Sequence, residues 1–216
     1  MQIEVIVTSD FICPWCLIGE RRLRKAMQTL PEEVTVKLAF HPFELNPDMP
    51  PEGADRKAYR AAKFGSLERS NAMDAQIAAV GRADGIAFNH DRIARAPNTF
   101  AAHRLMWLAE REGDPEKLAD LLFTSYFTRG RDLSDCAVLK AIAVEAGLAP
   151  ARVDAFLDGD EGASQVRALE AQAYRAGVAG VPYFEIGGLG VVGAQSPAIL
   201  AEALRRAAKL DEASAA

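Results

Sequence analysis

Thr8-Ser9-Asp10-Phe11-Ile12-Cys13-Pro14-Trp15-Cys16-Leu17-Ile18-Gly19 decides how this 216-residue chain is read, because it joins a strand, two cysteines three apart and the start of a helix. Upstream, Ile3 to Thr8 is β-branched and apolar at nearly every position and reads as a strand buried on both faces. Downstream, Leu23, Met27 and Leu30 recur at i, i+4 and i+7 while Arg21, Arg22, Arg24 and Lys25 fall elsewhere. That spacing predicts an amphipathic helix from about Pro14 to Leu30, closed by Pro31. Val34, Val36, Leu38 and Phe40 then alternate with Thr35, Lys37 and Ala39 as a second strand. A β-α-β opening of this kind joins parallel strands by a crossover helix.

With Cys13 at the N-cap, Pro14 takes the first helical position, where its missing N–H costs nothing. The Cys13 sulfur is then expected to accept the Trp15 and Cys16 amides and to feel the positive end of the helix dipole, which favours the thiolate. Cys13 therefore reads as an exposed nucleophile. Cys16 lies one turn further in, and residues i and i+3 on a helix sit roughly 5–6 Å apart, within the span of a disulfide. The pair can cycle between dithiol and disulfide. A structural zinc would need four ligands, and Cys136 stands alone while His41, His90 and His103 lack ligand spacing, so the reading calls for no metal and no cofactor. Cys136 reads as a small buried hydrophobe. Asp10 reads as a turn residue in water that would tune Cys16 only if it were buried.

From about residue 48 to 176 the pattern is a succession of helices with caps and glycine stops and no convincing strand. Asn98 caps Phe100 to Glu112, Asp114-Pro115 opens the next helix, and Ser134 leads one that Gly147 ends. His103 and the stripe Leu105, Trp107, Leu108 read as packing residues, and His41 as structural or surface. The opening style then returns. Val181 to Ile186 is a strand, Gly187-Gly188 a turn and Leu189 to Val192 its hairpin partner; Ser196-Pro197 starts a helix whose Ile199, Leu200, Ala203 and Leu204 face the core. Only the tail after Leu210 looks frayed. Residues 1–47 and 177–216 are thus expected to form one α/β domain around a helical insertion domain at 48–176. Gly188-Leu189-Gly190-Val191-Val192-Gly193 fits a dinucleotide fingerprint on paper but lies in the hairpin rather than between strand and helix. Pro182, at the head of a strand, donates no ladder hydrogen bond and leaves backbone open to an extended peptide. Half the residues are hydrophobic, a quarter are charged and the net charge is −5, which argues against nucleic-acid and membrane partners. Met1 to Val7 lacks a basic n-region and a cleavage site, so a cytoplasmic chain is expected.

These segments resemble the DsbA family of thioredoxin-fold oxidoreductases, and within it the FrnE-like branch of a superfamily that includes the 2-hydroxychromene-2-carboxylate isomerases. The resemblance spans nearly the whole chain. It is carried by the opening Thr8 to Gly19 stretch, Pro42-Phe43-Glu44-Leu45-Asn46-Pro47, Asn98-Thr99-Phe100-Ala101-Ala102-His103-Arg104-Leu105 and Gly180-Val181-Pro182. It implies an α/β fold, a thioredoxin-like mixed sheet (βαβ plus ββα) with a large all-helical insertion packed over the active-site helix. It also implies that Cys13 attacks, that Cys16 resolves, that Pro14, Trp15, Val181, Pro182 and Asp10 support them, and that the bond before Pro182 is cis. DsbA proper has a histidine at the position of Trp15, so a less oxidising disulfide is expected here. The expected activity is thiol-disulfide exchange in the reductase, isomerase or oxidase direction, on a disulfide-containing protein or a small thiol such as glutathione. A glutathione-dependent isomerase or transferase, and a chaperone or pathway-specific binding module, are the alternatives.

Overall fold

The computed structural model describes residues 1–209, so the tail after Leu210 lies outside the described residues. Strand β1 (Gln2–Ser9) runs parallel to β2 (Thr35–Pro42), in register from Gln2 opposite Thr35 to Ser9 opposite Pro42. Between them lies α1 (Pro14–Met27). The helix stops short of Leu30 because Gln28, Thr29 and Leu30 close a turn onto Arg24, Ala26 and Met27. β1 is buried on both faces only towards its end: Gln2 and Glu4 are exposed and Ile6 is half-buried, whereas Val7, Thr8 and Ser9 are all buried.

The chain then leaves the sheet for the insertion. Its elements are a short strand β3 (Ala54–Asp55), α2 (Arg56–Phe64), α3 (Leu67–Ala83) and a second short strand β4 (Arg95–Ala96). They continue with α4 (Phe100–Glu112), α5 (Pro115–Phe127), α6 (Cys136–Ala146), α7 (Pro150–Asp158) and α8 (Ala163–Arg175). The antiparallel pair β3–β4 was not legible, since two residues a side are too few for any periodicity to register. Asp114 caps α5 as expected, but two other caps differ by one position from those expected. Thr99 is the N-cap residue of α4, but the bond comes from its neighbour, with Asn98 Oδ1 accepting from Phe100 N at 2.9 Å. Asp135, not Ser134, caps α6 by accepting from the Ala137 and Val138 amides. Cys136 is thereby left exposed at the first helical position instead of buried.

The sheet is completed by β5 (Tyr183–Ile186) and β6 (Leu189–Val192), giving the order β2-β1-β5-β6. β5 is antiparallel to β1, and Tyr183 stands opposite Thr8. Gly187 and Gly188 turn the hairpin with φ of +57° and +82°, values that suit glycine. Helix α9 (Pro197–Ala207) packs beside α1, while α4 and α8 meet β2. Leu200, Ala203 and Leu204 are buried as expected, but Ile199 is exposed. The molecule is a thioredoxin-like mixed sheet carrying a large helical insertion.

One close approach fixes the site. A Cβ on Gly19 would come within 3.0 Å of both Phe184 Cζ and Pro182 Cγ, so α1 lies tight against the segment that enters β5. Gly19→Ala would gain up to about 1 kcal/mol of helix propensity against an overpacking cost of about 1–3 kcal/mol. A net loss is expected, seen as a fall in Tm of about 2–4 °C per kcal/mol. A Tm that rises instead would show that Phe184 and Pro182 yield freely.

Candidate active site

The order of the strands brings two distant loops together. Because β5 enters the sheet opposite Thr8, residues 181–182 lie beside the loop that leads from Ser9 into α1. Cys13 is the N-cap residue of α1 in extended conformation, Pro14 is at the first helical position, and Cys16 N donates to Cys13 O at 3.0 Å. The Cys13 side chain, however, accepts neither the Trp15 nor the Cys16 amide. Its Sγ instead donates to the Val181 carbonyl at 3.7 Å, and the Val181–Pro182 bond is cis. Cys13 is also far less exposed than expected, at 5%, and lines a cleft together with the exposed Trp15.

Cys16 is buried behind it. Burial pushes its thiol well above the usual cysteine range, and hydrogen bonding and charge from Cys13 push the same way. A hydrogen bond to the Asp10 backbone opposes the rise, and the negative charge of Asp10 adds a smaller upward push. Asp10 is not in water at all: it is wholly buried, its Oδ2 accepting from Leu45 N at 2.7 Å and its carbonyl from Cys13 N at 3.0 Å.

His103 is the residue that sequence reasoning missed. It does pack, its ring 5.1 Å from that of Phe11, but its Nε2 also stands 3.6 Å from Asp10 Oδ1 and has no hydrogen-bond partner. Glu44 lies nearby, buried, hydrogen-bonded to Arg167 and with its Oε1 unpartnered. Burial raises the Glu44 carboxyl above its ordinary value, with Glu170 adding to the effect and Arg167 and His103 opposing it. The one available clue was that Glu44 and His103 both fall in stretches carrying the family resemblance. His41 is half-buried in β2, and burial lowers its pKa.

Burial orders the three thiols. Iodoacetamide is expected to label the exposed Cys136 first, Cys13 second through the cleft and Cys16 last, as mapped by peptide mass. Labelling of Cys16 ahead of Cys13 would overturn this placement.

A strand, a Cys-x-x-Cys helix start and a cis-proline loop meet here at one point of a sheet, which places the chain among thioredoxin-fold proteins. Residues 4–205 match the family model of the DSBA-like thioredoxin domain, and the chain belongs to that family. It is similar to the crystal structure of a probable DsbA oxidoreductase, SCO1869, from Streptomyces coelicolor. That likeness has 33% identity over 95% of this chain and 89% of the other, with a TM-score of 0.87. A 2-hydroxychromene-2-carboxylate isomerase shares the fold at 15% identity and TM-score 0.70, covering 97% of this chain and 98% of its own. The cytosolic disulfide reductase DsbM of Pseudomonas aeruginosa, solved with GSH, does so at 21% identity and TM-score 0.61, over 99% and 100%. No helix among the described residues is long and apolar enough to cross a membrane.

Proposed function

We propose that this protein is a thiol-disulfide oxidoreductase working through Cys13 and Cys16, and that it runs in the reductive direction. The observation that carries the reading is the placement of Cys13 on the wall of a cleft, its Sγ 3.7 Å from the Val181 carbonyl beside a cis-proline, with Cys16 buried. The Cys13 thiolate attacks one sulfur of a substrate disulfide; a Cys13–substrate disulfide forms, and the other substrate sulfur leaves with the bonding electron pair and takes up a proton. Cys16 then loses its proton and attacks Cys13 Sγ, releasing the second substrate thiol and leaving an intramolecular disulfide. Two electrons pass to the substrate, and a thiol or dithiol reductant restores the protein by the reverse exchange.

Three supporting roles belong to the same proposal. Asp10 accepts the Cys16 proton, Pro14 and Trp15 shape the helix start, and Val181 and Pro182 flank the substrate sulfur. The reductive direction is supported by the fold likeness to a cytosolic disulfide reductase. A cytosolic setting, such as that named for DsbM, suits a reductase. Residues 1–47 with 177–216 would form the thioredoxin-like domain and 48–176 the inserted one. Insulin-disulfide reduction in the presence of a thiol tests the reading, alongside oxidative refolding of reduced ribonuclease. Faster ribonuclease oxidation without insulin reduction would reverse the direction, and inactivity in both would refute the proposal.

A further inference from the structure

The cleft in front of Cys13 measures about 200 Å³ and has a cationic wall. Arg56, Arg60 and Lys63 line it from α2, where their i, i+4 and i+7 spacing sets them along one helix face. Asp74 is the carboxylate opposing them: its Oδ2 is 2.7 Å from Arg56 Nη2 and its Oδ1 2.8 Å from Arg60 Nη2. Lys63 is held at the mouth by Asn46 Oδ1 at 2.6 Å and Tyr59 at 3.0 Å, both neutral groups. Three cations against one carboxylate leave the wall positive, in a chain whose net charge is −5.

Burial is the main influence on His90 and Arg60 in the cleft, and Asp74 pulls each the other way. Burial lowers the pKa of His90, and Arg56 and Arg60 lower it further against the pull of Asp74. Arg60 is lowered first by burial and again by Arg56, with Asp74 opposing. A guanidinium carries five N–H donors in a plane matched to a carboxylate. The bonds to Asp74 and Ser70 engage only Nη2 of Arg56 and Nε and Nη2 of Arg60.

We propose that α2 selects the substrate: the cleft takes a small organic disulfide, or the thiol derived from it, that bears a carboxylate or equivalent anion, with the anion on Arg56, Arg60 and Lys63 and the sulfur at Cys13. This rests on the exchange chemistry proposed above and adds what the exchange acts on. The size supports a small occupant, because the cleft falls below the roughly 300–1,000 Å³ of drug-sized sites.

The test uses reduced protein with Cys136→Ser, which removes the exposed thiol. Second-order rates are measured with 5,5′-dithiobis(2-nitrobenzoate), an anion, 4,4′-dithiodipyridine, which is neutral, and cystamine, a cation, each divided by its rate with 2-mercaptoethanol. The anionic probe is expected to exceed the cationic one by about tenfold on this scale, which corresponds to about 1.4 kcal/mol. Lys63→Gln should cut that ratio, and Lys63→Glu, an exposed change that keeps the fold, should cut it further or invert it. Equal normalised rates in the unaltered wall, or a ratio indifferent to Lys63→Glu, overturn the inference while leaving the exchange chemistry standing. No reaction with the neutral probe, or one that persists in Cys13→Ser, defeats the exchange reading itself. Equal acceleration with a disulfide-linked acidic peptide would show that charge, but not size, is selected, and would overturn the small-molecule assignment.

Discussion

Cys13→Ser is expected to lower the rate of insulin-disulfide reduction by more than about a thousandfold, to the level of the added thiol alone. A serine hydroxyl fills nearly the same volume and can still donate to the Val181 carbonyl, so the fold and the loop contact are retained. What disappears is the only sulfur of the pair that faces the cleft. Cys16 cannot stand in for it, because it is buried and its thiol is held protonated by that burial. Cys16→Ala separates the two roles: the first attack survives, the resolving attack does not, and a covalent Cys13–substrate adduct should build up and run as a higher band on a non-reducing gel. If Cys13→Ser retained turnover while Cys16→Ala lost it without trapping an adduct, the order of the two thiols would be the reverse of that proposed.

Much of this architecture could be read from residues because its features are local. The Pro14 position, the Ser196-Pro197 start, the glycine hairpin and the alternation of β2 are each set within a few residues, where capping, φ preference and pleat act. The Thr8 to Gly19 stretch likewise placed both cysteines at a helix start. What stayed hidden depends on tertiary contact. Asp10 looks like a turn residue because only the fold brings Leu45 N to its carboxylate and seals it beneath α4. His103 looks like one more packing residue because its partner is far away in the chain. Cys13 looks exposed and amide-capped because nothing in its neighbourhood reveals that the Val181 carbonyl would take its sulfur instead. The cationic wall was invisible for a similar reason: only the packing of α2 brings Arg56, Arg60 and Lys63 onto the cleft that Cys13 lines.

Asp10→Asn is expected to slow the resolving step by about a hundredfold near neutral pH, the lower end of what a positioned proton acceptor contributes. Cys16 must surrender its proton before it can attack Cys13, and burial, the largest effect on it, holds that thiol well above its ordinary pKa. Thiolate formed by equilibration with water is therefore scarce at neutral pH, and a local acceptor has to take the proton as the sulfur attacks. Asparagine keeps the hydrogen bond from Leu45 N through its side-chain oxygen but cannot take a proton. The sign of the pH dependence follows. With Asp10 in place the carboxylate supplies the base, and decay of the mixed disulfide should vary little across neutral pH. In Asp10→Asn the rate should track the free thiolate and climb about tenfold per pH unit up to the raised thiol pKa, so the deficit is greatest in mild acid and closes as the solution becomes alkaline. Loss of the Asp10 charge lowers the Cys16 pKa somewhat, which works against the deficit, but burial is the larger influence and remains. Stopped-flow decay of a preformed Cys13 mixed disulfide, followed by release of a chromogenic thiol between mildly acidic and alkaline pH, isolates this step from the first attack. A variant whose profile stays parallel to that of the parent protein would remove Asp10 from the proton path and leave it as a purely structural anchor for the loop before α1.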